Sequence, residues 1–122
     1  MTGWTVWHNA LAVLNYTDSD GNVSAQLNAD LNKRSLIIVN QILADLLHVS
    51  GGPIVALETM NDEIPLCAEA CPVMVYGVAM LAAQSESDGD NQQMMAELYN
   101  RHRTRIPYYP RRRQDVLPYP VG

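Results

Sequence analysis

Val39-Asn-Gln-Ile-Leu-Ala-Asp-Leu-Leu47 is the stretch on which the fold class turns. Val39, Ile42, Leu43, Leu46 and Leu47 recur at spacings of three and four, the repeat of a helix face. Followed towards the N-terminus, the same period takes in Leu27, Leu31, Leu36 and Ile38. The resulting apolar band is wider than one stripe, as in a helix packed on two sides. The pattern predicts a helix from about Ser24 or Asn28 to His48, and Ser50-Gly51-Gly52-Pro53 ends it.

Upstream, Trp4, Trp7, Leu11 and Leu14 predict a helix over Trp4–Tyr16, capped by Thr2 or Thr5. The turn formers of Tyr16–Asn22 separate the two helices. Downstream, Ile54–Leu66 is apolar but broken by Asn61-Asp-Glu63 and Pro65. It reads as an extended connection with a brief strand at Ile54–Leu57. A third helix is expected from Cys67 or Pro72 to Gln84, with Pro72 opening or kinking it. Its Gly77, Ala79, Ala82 and Ala83 are small enough to let another helix approach closely. After the acidic turn Ser85–Asp90, a fourth helix starts near Asp88 or Asp90 and carries Met94, Met95, Leu98, Tyr99 and His102. Glu97 and Arg101 stand four apart in the favourable order.

From Ile106 the texture changes. Pro107, Pro110, Pro118 and Pro120 forbid a helix, and Tyr108, Tyr109 and Tyr119 flank the run Arg111–Arg113. The expected architecture is therefore all-α: a compact bundle of about four helices over residues 1–105, and an extended Pro/Arg/Tyr-rich C-terminal arm over 106–122.

The 122 residues suit one domain, which at this length buries roughly two-thirds of its unfolded surface and needs no disulfide or metal to fold. At 48% hydrophobic and 17% charged residues, the composition is globular. No apolar run reaches the roughly 18–20 residues that span a bilayer, and Met1–Thr5 carries no charge of the kind that opens a signal peptide. A soluble protein of a reducing cytoplasm is expected. The net charge of −5 conceals a split. Residues 1–100 hold twelve acids against Lys33 and Arg34, a balance of −10, and residues 101–122 hold six arginines against Asp115, a balance of +5. Such a tail binds an anionic partner or docks on acidic copies of its own body.

Catalytic and metal chemistry find little support. His8, His48 and His102 fall on three different helices, and no spacing pairs one with a nucleophile. Cys67 and Cys71 lack the further ligands of a zinc site and read as small buried hydrophobes. Asp18-Ser-Asp-Gly-Asn22 begins like a calcium loop but has Val23 where glycine is required and Ala29 where glutamate is required. No phosphate-binding glycine loop is present. The expectation is a protein that is not an enzyme and has no catalytic residue, cofactor or metal.

Several fragments, taken in order, resemble the small helical head–tail connector (adaptor, or head completion) proteins of tailed bacteriophages. They are Val39–Leu47, the linker Leu57-Glu-Thr-Met-Asn-Asp-Glu-Ile-Pro65, Tyr76-Gly-Val-Ala-Met-Leu-Ala82, Asp88-Gly-Asp-Asn-Gln92, Leu98-Tyr-Asn-Arg101 and Asp115-Val-Leu-Pro118. The N-terminal tryptophans and the triple arginine are less typical of that family. The resemblance implies a structural virion protein at the capsid vertex or neck, assembled in the host bacterial cytoplasm. Copies of it, twelve in the family, would form a homo-oligomeric ring between the portal protein and the tail or neck proteins. DNA would pass through that ring without sequence-specific binding. The implied partner-binding residues are Arg101, Arg103 and Arg105 at the arm's root, with Tyr108, Tyr109, Arg111, Arg112, Arg113, Leu117 and Tyr119 along it. The rival reading is a small nucleic-acid-binding or regulatory helical protein whose arginines contact phosphates while its tyrosines stack on bases.

Overall fold

The computed structural model describes residues 1–16 and 29–107. Of these, 64% are helical and none lies in a strand, so the described chain is all-α. The order is α1 (Gly3–Val13), α2 (Ala29–Asn32), α3 (Ser35–Ser50), α4 (Cys71–Ser85) and α5 (Gly89–Arg103). The single helix expected to end at His48 is thus two, because the backbone at Arg34 leaves helical geometry (φ −98°, ψ 0°). The break leaves Asn32 placed to accept a hydrogen bond from the indole Nε1 of Trp7 (2.6 Å). It also lets Arg34 donate to Ser85 Oγ at the far end of α4 (2.8 Å).

The other boundaries follow from local chemistry. Thr2 caps α1 by accepting from the Thr5 amide. Gly51 ends α3 in the left-handed region (φ 81°), which a residue without Cβ enters freely, and Gly52 N–H then donates to Leu47 carbonyl (3.1 Å). Pro72 lies in the first turn of α4, where no intrahelical bond is lost. Asp88 caps α5, and Arg101, His102 and Arg103 occupy its last turn, where the helix dipole favours cations.

The strand expected at Ile54–Leu57 does not form. The Asn40 side chain meets the backbone there instead, its Nδ2 donating to Leu57 carbonyl (3.0 Å) and its Oδ1 accepting from Leu57 N–H (2.8 Å). One amide side chain thus satisfies both polar groups of a buried residue without a neighbouring strand. The connection then wraps the start of α1. Met60 and Asp62 carbonyls accept from the Trp4 and Gly3 amides, and Ile64 N–H donates to Met1 carbonyl. The bonds from Gly3 and Trp4 satisfy amides that a helix start leaves open. Gly3 permits the approach, since a Cβ there would lie 3.0 Å from Met60 carbonyl oxygen.

Helix α4 is central, packing on α1, α3 and α5. Val73, Met74, Val75, Gly77, Val78, Ala79, Ala82 and Ala83 are buried, which covers most of its circumference. At Gly77 three helices meet: a Cβ would stand 2.6 Å from Tyr99 Cε1 on α5 and 2.8 Å from Ile42 Cγ2 on α3. On α1 the buried residues are Val6, Trp7, Ala10 and Leu11 as well as Gly3. Trp4, expected to share the stripe of Trp7, is instead 36% exposed. Ile106, just beyond α5, is also buried in the core, at 7% exposure.

Candidate functional site

The residues singled out for partner binding begin on the last turn of α5. Arg103 is turned inward and clasped by α3: its Nε donates to Asp45 Oδ2 (2.6 Å) and its second guanidinium nitrogen to Oδ1 (2.7 Å). Tyr99 OH, one turn earlier, donates to the same Oδ2 (2.5 Å). Asp45 therefore accepts three hydrogen bonds from two residues of one helix, with the Arg103 fork matched to the carboxylate plane. The hydrogen bonds from Arg103 hold the Asp45 carboxyl below its ordinary value, aided by that from Tyr99. Burial, and then the bond to Asp45, push the Tyr99 phenol up. The Asp45 bond also raises the Arg103 guanidinium, which stays charged.

Arg101 and Arg105 are exposed, and among the described residues neither makes an ion pair, including the Glu97–Arg101 pair that the spacing favours. The three arginines thus divide by role: Arg103 fastens α5 to α3, and Arg101 and Arg105 face outward. Tyr108, Tyr109, Arg111, Arg112, Arg113, Leu117 and Tyr119 lie outside the described residues, as does the loop at Asp18–Asn22.

A second polar clasp holds the other end of α5. Tyr16 OH donates to Asp88 Oδ2 (2.8 Å), and Asn91 Nδ2 donates to the same oxygen (2.7 Å). The Tyr16 bond, with the Asn91 bond behind it, lowers the Asp88 carboxyl, while burial raises the Tyr16 phenol. Asp88 thereby serves both as the cap of α5 and as the anchor for the end of α1.

The histidines stay apart. His8 lies against Trp4 with ring centroids 5.7 Å apart, and His102 lies against Tyr76 at 5.6 Å. His48 closes α3. Cys67 and Cys71 are free thiols and half-buried rather than fully inside, and burial raises the Cys71 thiol. Among the described residues no three His, Cys, Asp or Glu side chains group as metal ligands, and no helix is long and apolar enough to cross a membrane.

One feature escaped the sequence reading: an apolar groove of about 510 Å³ between α1 and the start of α4, with Val13, Ala68, Cys71, Val75 and Tyr76 in its walls. Its outermost apolar residues, Met1 and Val13, are 41% and 45% exposed. The available signal was Val13, an apolar residue off the buried stripe of α1. Comparisons of the chain with family models, curated proteins and solved structures find no match.

Proposed function

We propose that this protein is a head–tail connector of a tailed bacteriophage, a structural virion protein without enzymatic activity. In this reading a compact bundle of helices carries an extended C-terminal arm. Copies join into a ring between the portal and the tail or neck proteins. The observation that carries the proposal is the segregation of charge: −10 over residues 1–100 and +5 over residues 101–122. A ring subunit needs two different surfaces that complement each other on successive copies, and an acidic body with a basic arm supplies such a pair. The acidic surface also suits a channel through which DNA slides, since it repels phosphate. The order of the connector-like fragments supports the same reading.

The inward turn of Arg103 narrows the docking set to Arg101, Arg105 and the arm residues Tyr108, Tyr109, Arg111, Arg112, Arg113, Leu117 and Tyr119. The test is a search for a portal gene beside the one that encodes this chain, then co-expression of the two, followed by electron microscopy and sedimentation. The expected result is a ring on the portal, lost when Arg111, Arg112 and Arg113 are all changed to Glu while the circular dichroism of the helices is unchanged. No ring with the unaltered chain, together with tight DNA binding that falls steeply with salt, overturns the proposal in favour of a nucleic-acid-binding protein.

A further inference from the structure

Another groove, of about 510 Å³, runs between the start of α3 and the end of α4. Ile37 and Leu81 supply its apolar surface, with Arg34, Gln41, Gln84 and Ser85 along its sides. Ile37 is 65% exposed, more than any other large apolar residue among the described residues. Arg34 is held in position by donating to Ser85 Oγ (2.8 Å), and it makes no ion pair among the described residues. Most of its N–H donors are thus open to a carboxylate. Lys33 and Arg34 are the only lysine and arginine in residues 1–100, and Lys33 is paired with Asp30 (3.8 Å). Glu86, next in the chain after Ser85, is exposed and does not line the groove. The one basic corner of an acidic body therefore borders an apolar trough.

The same chain carries a surface that complements this trough. On α5, Asp90, Met94 and Glu97 recur at spacings of four and three, which sets them on one face of the helix. All three are exposed, Met94 at 48%, and neither carboxylate makes an ion pair among the described residues. A methionine between two unpaired carboxylates matches apolar surface beside an unpaired guanidinium. The spacing matches as well. Arg34 precedes Ile37 by three residues, so laying Met94 on Ile37 brings a carboxylate one turn away towards Arg34.

We propose that the groove between α3 and α4 of one copy receives the Asp90–Met94–Glu97 face of α5 from a second copy. The two surfaces are different, so the contact is heterologous and repeats from copy to copy. It rests on the reading of successive copies in a ring, and adds to the arm a contact between the helical bodies. Charge selects this pairing over a symmetric one. Two copies of the α5 face would set carboxylates against carboxylates, and two copies of the groove would set Arg34 against Arg34. Only groove against α5 face brings opposite charges together around apolar surface.

The experiment uses the full chain alone, without portal or DNA, with Cys67→Ser and Cys71→Ser removing its two thiols. One such chain carries Gln41→Cys in the groove wall, and another carries Gln93→Cys beside Met94, both at exposed positions. These sites leave the apolar and charged residues of the contact in place. The two chains are mixed in equal amounts and treated with a short bis-maleimide, which joins two thiols without redox chemistry. The mixture should give about tenfold more linked dimer than either chain alone. Arg34→Glu in the groove chain should return the yield to that of the separate chains. Asp90→Lys with Glu97→Lys in the other chain should then restore it. A mixture that links no better than its components overturns the proposal. So does linkage that survives Arg34→Glu, or a loss that the reversed carboxylates fail to restore in chains whose circular dichroism shows them folded. Restoration by changes in a different chain shows that the loss was not a loss of fold. Ring formation on the portal is read separately, so failure of this contact is distinguishable from failure of the connector reading.

Discussion

Helices α4 and α5 are partners in one hairpin, equal at fifteen residues each, yet they are held in place by different physics. Helix α4 contains no charged residue and is buried around most of its circumference. Helix α5 buries only Met95 and Tyr99 and carries Asp90, Glu97, Arg101 and Arg103. Apolar burial fixes α4 without direction, so its position depends on shape, above all on the missing Cβ at Gly77. A helix with two buried residues needs directional bonds, and α5 has a clasp at each end: Asp88 with Tyr16, and Tyr99 and Arg103 with Asp45. A helix held at a few points keeps much of its surface exposed, and Arg101 is on that surface.

The contrast is broken most severely inside α4. Met74 is fully buried, and Met74→Ala should lower stability by about 2–5 kcal/mol, the cost of lost burial plus an unfilled cavity, measured by urea unfolding. Gly77→Ala tests shape rather than burial. The new methyl would overlap the Tyr99 ring edge and the Ile42 side chain, and the ring is held by its bond to Asp45. Overpacking of this kind costs about 1–3 kcal/mol, against roughly 1 kcal/mol gained in helix propensity, so a net loss is expected. A more stable Gly77→Ala protein would show that the three helices meet less tightly than the hairpin geometry requires.

The clasp on α5 should be worth less. Asp45 and Arg103 are each about one-third exposed, and solvent screens the pair, so Asp45→Asn should cost about 1 kcal/mol. Its pH dependence has a definite sign. The folded state holds the Asp45 carboxyl below its ordinary value of 3.8, so the stabilisation is complete above that value. It is lost as pH falls through the lower folded value. The stability gap between the unaltered protein and Asp45→Asn should thus be full near pH 7 and shrink below about pH 4. A gap that stays constant down to pH 2 or so would assign the loss to packing rather than charge.

The same contrast explains what was legible in the sequence. The apolar periods gave the helices around Val39–Leu47 and Pro72–Gln84, and the small residues of α4 announced its close crossing. Local chemistry gave the end at Gly51, and it left the start of α4 at Cys67 or Pro72 and that of α5 at Asp88 or Asp90, beside the observed starts at Cys71 and Gly89. The break at Arg34 was hidden because Lys33 and Arg34 are ordinary helix residues, and only the bonds of Asn32 with Trp7 and of Arg34 with Ser85 mark the place. The absence of a strand at Ile54–Leu57 was hidden for the same reason: the segment's hydrogen-bond partner is Asn40, seventeen residues away from Leu57. At the candidate site, a cluster of like residues concealed two roles. Nothing in the spacing of Arg101, Arg103 and Arg105 tells which one meets Asp45, because Asp45 is a single charge in an otherwise uncharged stretch of α3. Trp4 was misplaced because the buried face of α1 centres on Trp7 and Ala10, with Val6 inside it and Trp4 at the edge.

The finest test lies within one turn of α5. Arg101→Ala removes an exposed cation with no ion-pair partner among the described residues, and the unfolding free energy should change by less than about 0.5 kcal/mol. Arg103→Ala, two residues later, should lose the clasp and resemble Asp45→Asn. The double substitution Asp45→Asn with Arg103→Ala should cost little more than either change alone, since both delete one interaction. Partner binding should run the other way. If the connector proposal holds, Arg101→Ala should weaken attachment to the portal at unchanged stability, and Arg103→Ala should lower stability while leaving attachment intact at temperatures where the protein stays folded. If Arg103→Ala instead abolishes attachment without a stability loss, the guanidinium is released from Asp45 on assembly, and the split between a fastening arginine and a docking arginine fails.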